Sequence, residues 1–553
     1  MPASRFRLFN SAPPINKMQK KIILVAFVLA LAFGLRAAAP QRGDERLREL
    51  VVFPSMDFNF NWGLNCQNNE WVISQTVDLP SAIAEQREEL KRQPDDVKQL
   101  LHLAYLLDSN GETNESQSCY EKVEQLCRNK IAVNPQNGSD LMTLGVVLDA
   151  LGKEDEAEHD FRKATLVASN DWRCWVGLGN FLPSKYFSSM FPTNLLNQIA
   201  PGQMLSQAVL DYRPSAESLK KAEAARDEAS RCFDRAMTIA PKEPELFLQR
   251  AGYMSTSNWQ SCFFRHYRNH EEIGTNEWLL TFFSKETIAN LQKASELNPK
   301  DYQYISLAAY FEWYNAALQN RGSFNPAPDN LPEATRHFIH GSMTRLENLS
   351  GDTDKKTAVG ALENFGILNM VFGNKQEATA DFRRAVALDP TREQSWDLLL
   401  SMLLFSASPD ELLSVAQARL KIKDSARNHI ILSKILAQRM SKWSEATEQA
   451  EIAEKLETNN SVPPLLLAAI ALKQSAQTNY LSVARTNLVR TYVILQKMPD
   501  DDEKRKRGRE WWLNTIIFDI LNNQPDLAKN TASDFFKFFP DDETAKEILK
   551  MLN

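Results

Sequence analysis

Glycine is scarce in this chain, 19 residues in 553, and runs of alternating Val, Ile or Thr bounded by turn residues are nearly missing. Both shortages argue against a sheet protein and for helix. An excess of one charge is lacking too. Lys and Arg number 64 against 70 Asp and Glu, a net charge of −6 spread along the chain. Such a field is too weak to draw nucleic acid or an anionic membrane surface. There is no Gly-x-Ser-x-Gly elbow, no phosphate-cradling glycine loop and no Gly-x-Gly-x-x-Gly turn. The six cysteines include no Cys-x-x-Cys pair. Of the seven histidines, His266 and His270 are spaced to share a helix face, ahead of Glu271 and Glu272. The general-base Glu of a zincin is missing between them. His337 and His340 make a weaker pair still. No metal, cofactor or catalytic residue is expected.

Long apolar runs are also few. Ile22 to Leu35 is the exception, an uncharged stretch of 14 residues preceded by Lys17, Lys20 and Lys21 and followed by Ala37, Ala38, Ala39 and Pro40. A membrane helix needs roughly 20 apolar residues. Residues 1–39 therefore read as an export signal or a retained anchor, with the bulk of the chain exported, periplasmic or otherwise extracytoplasmic. Pro40 after the Ala-x-Ala site disfavours cleavage, so both readings stay open, as does a start at Met18 rather than Met1. Contact with a membrane is expected only through this segment.

What the chain has is a repeat. Leu141, Leu144, Gly145, Leu148, Ala157, Phe161 and Ala164 form one pattern, and Trp175, Leu178, Gly179 and Leu182 restart it 34 residues on. Ala229, Phe233, Ala236 and Pro241 supply a second half, and Leu362, Phe365, Gly366, Asn369, Gly373, Ala378, Phe382, Ala385 and Pro390 repeat the whole. Two helices of this length, with large, small and Pro positions in this order, resemble the tetratricopeptide repeat. The resemblance covers most of 95–553 and implies an all-α fold, an α-solenoid of stacked antiparallel helix pairs, because no single pair can bury its apolar face alone. Gly145, Gly179 and Gly366 leave room where helices cross. Phe161, Phe233 and Phe382 are expected to be buried at equivalent positions. Cys174 and Cys232 fall on the two helices of one repeat and could meet, though buried free thiols are the expectation for most of the cysteines. Residues 40–94 read as an N-terminal strap and first helix. Phe53, Phe58, Phe60, Trp62 and Trp71 in it suggest a short strand pair or a strap on the first helices. The run of acidic then basic residues from Asp500 to Arg509 reads as a solvated linker.

Three consecutive repeats break the spacing between their helices, near 183–215, 255–285 and 317–333, by roughly 38, 24 and 13 residues beyond a regular unit. These insertions are aromatic. Tyr186, Phe187, Met190 and Phe191 lie in the first, Trp259, Phe263, Phe264, Tyr267 and Trp278 in or beside the second, and Trp313, Tyr314 and Phe324 border the third. Stacking places equivalent loops along one edge, so the insertions should converge into an accessory layer, with 183–215 touching 255–278. They either cap the solenoid edge or bind a partner.

The resemblance implies a concave groove lined by first helices. Met142, Val146, Arg173, Asn180, Glu363, Asn364, Asp397, Ser401, Ile431 and Ile435 match its positions. One family subtype clamps a terminal carboxylate with Lys, Asn and Arg; Asn180 matches one such position and the basic set is absent. The candidate partner-binding residues are Arg173, Asn180, Tyr186, Phe187, Trp259, Phe264, Glu363, Asn364 and Asp397. The resulting expectation is a non-catalytic scaffold or adaptor for a protein or peptide. An enzyme with its site among 183–333 and a structural spacer in an envelope complex are the competing readings.

Overall fold

The computed structural model describes residues 42–54, 61–67, 70–76, 79–110, 112–196, 206–319, 330–476, 479–498 and 502–550. The segment 1–39 lies outside them, as do Phe58, Phe60, Phe324 and the side chain of Trp278. Among the described residues no helix is long and apolar enough to cross a membrane. The described residues form two compact units, one running from 61 to 399 and the other holding 42–54 together with 400–550.

In the first unit a β-hairpin, β1 (Asn61–Gln67) paired antiparallel with β2 (Glu70–Thr76), precedes α2 (Leu79–Arg92). Helix pairs follow: α3 (Val97–Ser109) with α4 (Thr113–Val133), and α5 (Gly138–Ala150) with α6 (Glu154–Val167). Next, α7 (Trp172–Ser188) packs on α10 (Ala216–Ile239), with short α8 (Thr193–Leu196) and α9 (Gln207–Asp211) between them. Then α11 (Pro244–Asn269) and α13 (Lys285–Leu297) flank α12 (Thr275–Phe282). The unit continues with α14 (Tyr302–Gln319) on α15 (Glu333–Leu349) and α16 (Lys355–Val371) on α17 (Lys375–Leu388). Helix α18 (Glu393–Ser406) runs to the unit boundary and past it.

The second unit holds α1 (Arg42–Glu49), α19 (Pro409–Ile422), and the pairs α20 (Ala426–Met440) with α21 (Trp443–Leu456), α22 (Val462–Lys473) with α23 (Asn479–Lys497), and α24 (Asp502–Leu521) with α25 (Pro525–Phe536). It ends in α26 (Glu543–Lys550). The fold is an α-solenoid of stacked antiparallel pairs with one added hairpin.

Local chemistry accounts for the pairs. Asp96, Asn137, Asp171 and Asp354 cap first helices by accepting backbone N–H groups that have no helical partner. Pro241, Pro299, Pro390 and Pro540 stand just beyond the ends of second helices, where the ladder cannot continue. Phe161, Phe233 and Phe382 are all buried. A Cβ added at Gly145, Gly179 or Gly366 would meet those rings at 3.0, 3.0 and 2.6 Å. The turn between paired helices carries a landmark of which the repeat pattern held only Gly373. Gly152, Gly373, Ser441 and Asn523 all have positive φ, each five residues before a small Ala: Ala157, Ala378, Ala446 and Ala528. This left-handed residue closes the first helix.

Three expectations change. The insertions are in large part helix rather than loop: α7 runs through Pro183 to Ser188, and α11 reaches 26 residues. Trp259, Phe263 and Tyr267 recur at i, i+4 and i+8, so the apolar stripe simply continues. The run 502–509 is the start of α24, not a linker, and its Arg507 and Arg509 are paired. Arg507 bonds Glu503 and Glu510, and Arg509 reaches Asp542. Finally, 42–54 straps the last helices rather than the first, packing on α22 and α24, while the hairpin lies against α11.

Candidate functional site

The insertion aromatics are interior. Phe187, Met190, Phe191, Trp259, Phe263, Phe264 and Tyr267 form one buried cluster with Val209 and Ala222, so the segments 183–215 and 255–278 meet. Phe187 stands 5.1 Å from Phe263 edge-on, and Trp259 stands 4.7 Å from Phe263. Tyr267 Oη donates to the carbonyl of Val209 at 2.8 Å, and burial raises its phenol pKa. His266 is committed to the same latch: Nδ1 lies 2.7 Å from the Glu271 carbonyl and Nε2 2.9 Å from that of Leu210. With both ring nitrogens used, it is not placed as a metal ligand. Among the described residues no three His, Cys, Asp or Glu side chains converge on a metal position.

Trp313 and Tyr314, which border the third insertion, do not join that layer. They pack in a separate cluster with Tyr310 and Phe372, while the Phe283 ring, after α12, lies tilted 4.5 Å from that of Tyr314. The reason is the helical run of α14, which carries Trp313 and Tyr314 back toward its own pair.

Several nominated binding residues are likewise spent on structure. Phe187, Trp259 and Phe264 are buried in the aromatic cluster, and Tyr186, partly exposed, donates its hydroxyl to Glu158 at 3.1 Å. Glu363 is 0% exposed; Arg392 grips both its oxygens at 2.8 Å and Ser395 adds a bond of 2.6 Å. Asn364 accepts from Ser306 Oγ at 2.7 Å and donates to the Gly360 carbonyl at 2.8 Å. Asp397 is buried too. Glu363, matched by the repeat to the groove, is thus neutralised in the interior by Arg392. Repeat position gave the face of these residues, but not the covering by Arg392, 29 residues further on. Ile431 and Ile435 are also buried.

Arg173 is different. It borders an open depression of about 320 Å³, counting the solvent-filled mouth, lined by Met142, Val146, Trp172, Arg173, Val176, Gly177, Glu245 and Gln249. Three consecutive first helices, α5, α7 and α11, each contribute to it. Met142 and Val146 are one turn apart on α5, as are Glu245 and Gln249 on α11, so each pair projects from one helix face. The Arg173 guanidinium lies over the Trp172 ring at 4.5 Å and 3.6 Å from Glu245. Both side chains of this ion pair are about half exposed, and the pair remains open to exchange. Asn180 sits buried beneath the floor, donating to Gln249 Oε1 at 3.4 Å. Of the nominated residues, Arg173 thus lines the depression and Asn180 supports it. Trp172, Glu245 and Gln249 are lining residues that motif matching missed; they become visible only when the first-helix positions of three units are aligned.

Cys119, Cys127, Cys174, Cys232 and Cys262 are buried free thiols. Cys174 packs with Leu141 and Ala164, while Cys232 lies against Gly179, so the two do not meet. Burial pushes both thiols up to about 12.

No family model matches the chain, and no curated protein matches it significantly. Solved structures give distant likenesses. The crystal structure of yeast Tom70 shares 16% identity, with 86% of this chain and 91% of that chain covered at a TM-score of 0.31. YrrB, described as a TPR protein with an unusual peptide-binding site, shares 14%, with 38% and 97% covered at 0.27. The APC/C hetero-tetramer Cut9–Hcn1 shares 12%, with 86% and 93% covered at 0.28. The helix pairs and their 34-residue spacing, rather than these likenesses, define the TPR-like fold of this chain.

Proposed function

We propose that this chain is a non-catalytic scaffold that binds a protein or peptide partner, and that it works outside the cytoplasm, sent or tethered there by residues 1–39. The observation that carries the binding reading is the depression at Arg173, where side chains from three successive first helices converge on open surface. Most of its volume is the open mouth, and the enclosed part has room for about one water molecule, too little to bury a small molecule. Its apolar floor of Met142, Val146 and Val176, with one exchangeable ion pair at the rim, suits a single side chain of a longer ligand. The export reading is supported by the basic and apolar pattern of residues 17–39.

A photo-crosslinking residue at position 146 of the full chain tests the binding reading. The expected result is one discrete crosslinked protein, lost in Arg173→Ala/Gln249→Ala. Crosslinking that is absent, or unchanged in that variant, would remove the depression from the function. A C-terminal reporter active only in the cytoplasm would remove the location, and N-terminal sequencing distinguishes a cleaved signal from a retained anchor.

A further inference from the structure

The last repeats hold a peptide already, and it belongs to the same chain. Helix α1 packs on α22 and α24, and Leu47 and Val51 join the buried cluster of Leu465, Leu472, Leu513 and Ile517. Residues 51–54 then leave the helix without entering a ladder. An irregular backbone in such a place needs partners for its N–H and C=O groups. Asn514 supplies both: its Oδ1 accepts the Val52 N–H at 3.0 Å and its Nδ2 donates to the Val52 carbonyl at 2.6 Å, across 462 residues of sequence. One side-chain amide thus reads a main-chain unit as a neighbouring strand would.

Three observations bear on how firmly this contact is held. Two further polar ties among the described residues are long, Arg48 Nε to Ser475 Oγ at 3.3 Å and Lys473 Nζ to the Glu49 carbonyl at 3.4 Å. Only Leu47, Val51 and Pro54 of the strap's described side chains are buried, while Leu50, Val52 and Phe53 pack on the cluster's edge and stay partly exposed. And α22 is buried along Val462–Leu472, apolar on every side, so a cover leaving it must be replaced by another apolar one.

We propose that the Asn514 groove is a binding site for an apolar segment of a partner protein, held closed in cis by residues 42–54. The strap displays the ligand's chemistry: two aliphatic side chains four residues apart, the second followed by a non-helical residue whose backbone is free to pair with Asn514. This site lies in the second unit and stands independently of the Arg173 depression. A tethered strap competes at an effective concentration on the order of millimolar, so a free peptide binds the resting chain poorly.

The test uses the full chain and a labelled peptide of residues 42–54. Leu47→Asp/Val51→Asp should release the strap and tighten peptide binding by roughly 100-fold or more over the wild type. Adding Asn514→Ala should abolish that gain. In the wild type, amide hydrogen exchange across 48–54 should run at least about tenfold faster than in α22 and α24, the signature of local opening. If the released variant fails to fold, by circular dichroism, the wild-type exchange decides alone. Exchange in 48–54 as slow as in α24, or a folded released variant that ignores the peptide, would overturn the proposal and make the strap permanent core. A released or wild-type chain that dimerises by trading straps, seen by light scattering, would overturn it in favour of a second copy as occupant.

Discussion

Asn364 and Asn514 stand at the same place in their repeats, each fourteen residues before the small alanine, Ala378 or Ala528. Both are fully buried, yet their amides do different things. Asn364 turns inward, bonding Ser306 and Gly360 within the first unit. Asn514 turns to a segment from the far end of the sequence and pairs with the main chain of Val52. The difference follows from what the preceding helix offers. Beside Asn364 a serine hydroxyl fills the amide's acceptor, whereas α22 is all hydrocarbon and leaves Asn514 to find polar partners in the strap. A repeat position therefore sets which way a side chain faces, and the neighbouring unit sets what it holds.

The largest expected effects test whether both units are built alike. Phe382→Ala in the first and Phe535→Ala in the second each remove a fully buried ring, and each should cost about 3–5 kcal/mol in chemical denaturation. A loss below roughly 1 kcal/mol in either would place its register in error.

A second comparison concerns two buried polar pairs at equivalent positions. Asn369 donates to Asp381 at 2.9 Å, and Arg384 supports that carboxylate at 3.3 Å. In the later repeat Thr531 Oγ1 alone donates to Asp519 at 2.9 Å, and burial pushes the Asp519 carboxyl up to about 7. In the unfolded chain this group ionises near 4. Between about pH 4 and 7 the folded state therefore keeps a proton that the unfolded state has lost, and stability falls as pH rises through that window. Asp519→Asn should flatten this slope and stabilise the protein at pH 8 by a few kcal/mol, at about 1.4 kcal/mol per decade of the window. Thermal melts at pH 5 and 8 check this; an unchanged pH slope in the variant would contradict it.

The turns give a smaller contrast. Gly373→Ala forces an L residue to φ 87°, at a cost of roughly 1–2 kcal/mol, whereas Ser441→Gly relieves a residue already at φ 53° and should be neutral or stabilising. Smallest of all, Arg173→Ala removes a half-exposed ion pair and should change stability by less than about 1 kcal/mol, so any loss of partner binding reports on the surface itself.

The sequence made the stacking legible because Gly145 packs on Phe161 and Gly366 on Phe382, each pair within its own repeat, and local packing leaves a periodic trace. The left-handed turn residue enters the repeat pattern only as Gly373, because Gly, Ser and Asn all serve there. Glu363 looked like groove surface because its neutralising partner, Arg392, belongs to the next repeat and carries no motif. The strap was hardest to place, since Leu47 and Val51 meet residues more than 400 positions away. One signal did point to it. Pro464 to Leu472 is apolar on all faces, and such a helix needs a cover on the side that a regular repeat leaves open.

The central claim is that Asn514 holds residues 42–54 as a groove holds a peptide. The most direct measurement is amide exchange at Val52 in Asn514→Ala set against Asn364→Ala, both in the full chain. The account predicts at least about tenfold faster exchange across 48–54 in the first variant and no change there in the second. Equal exchange in the two variants would contradict it.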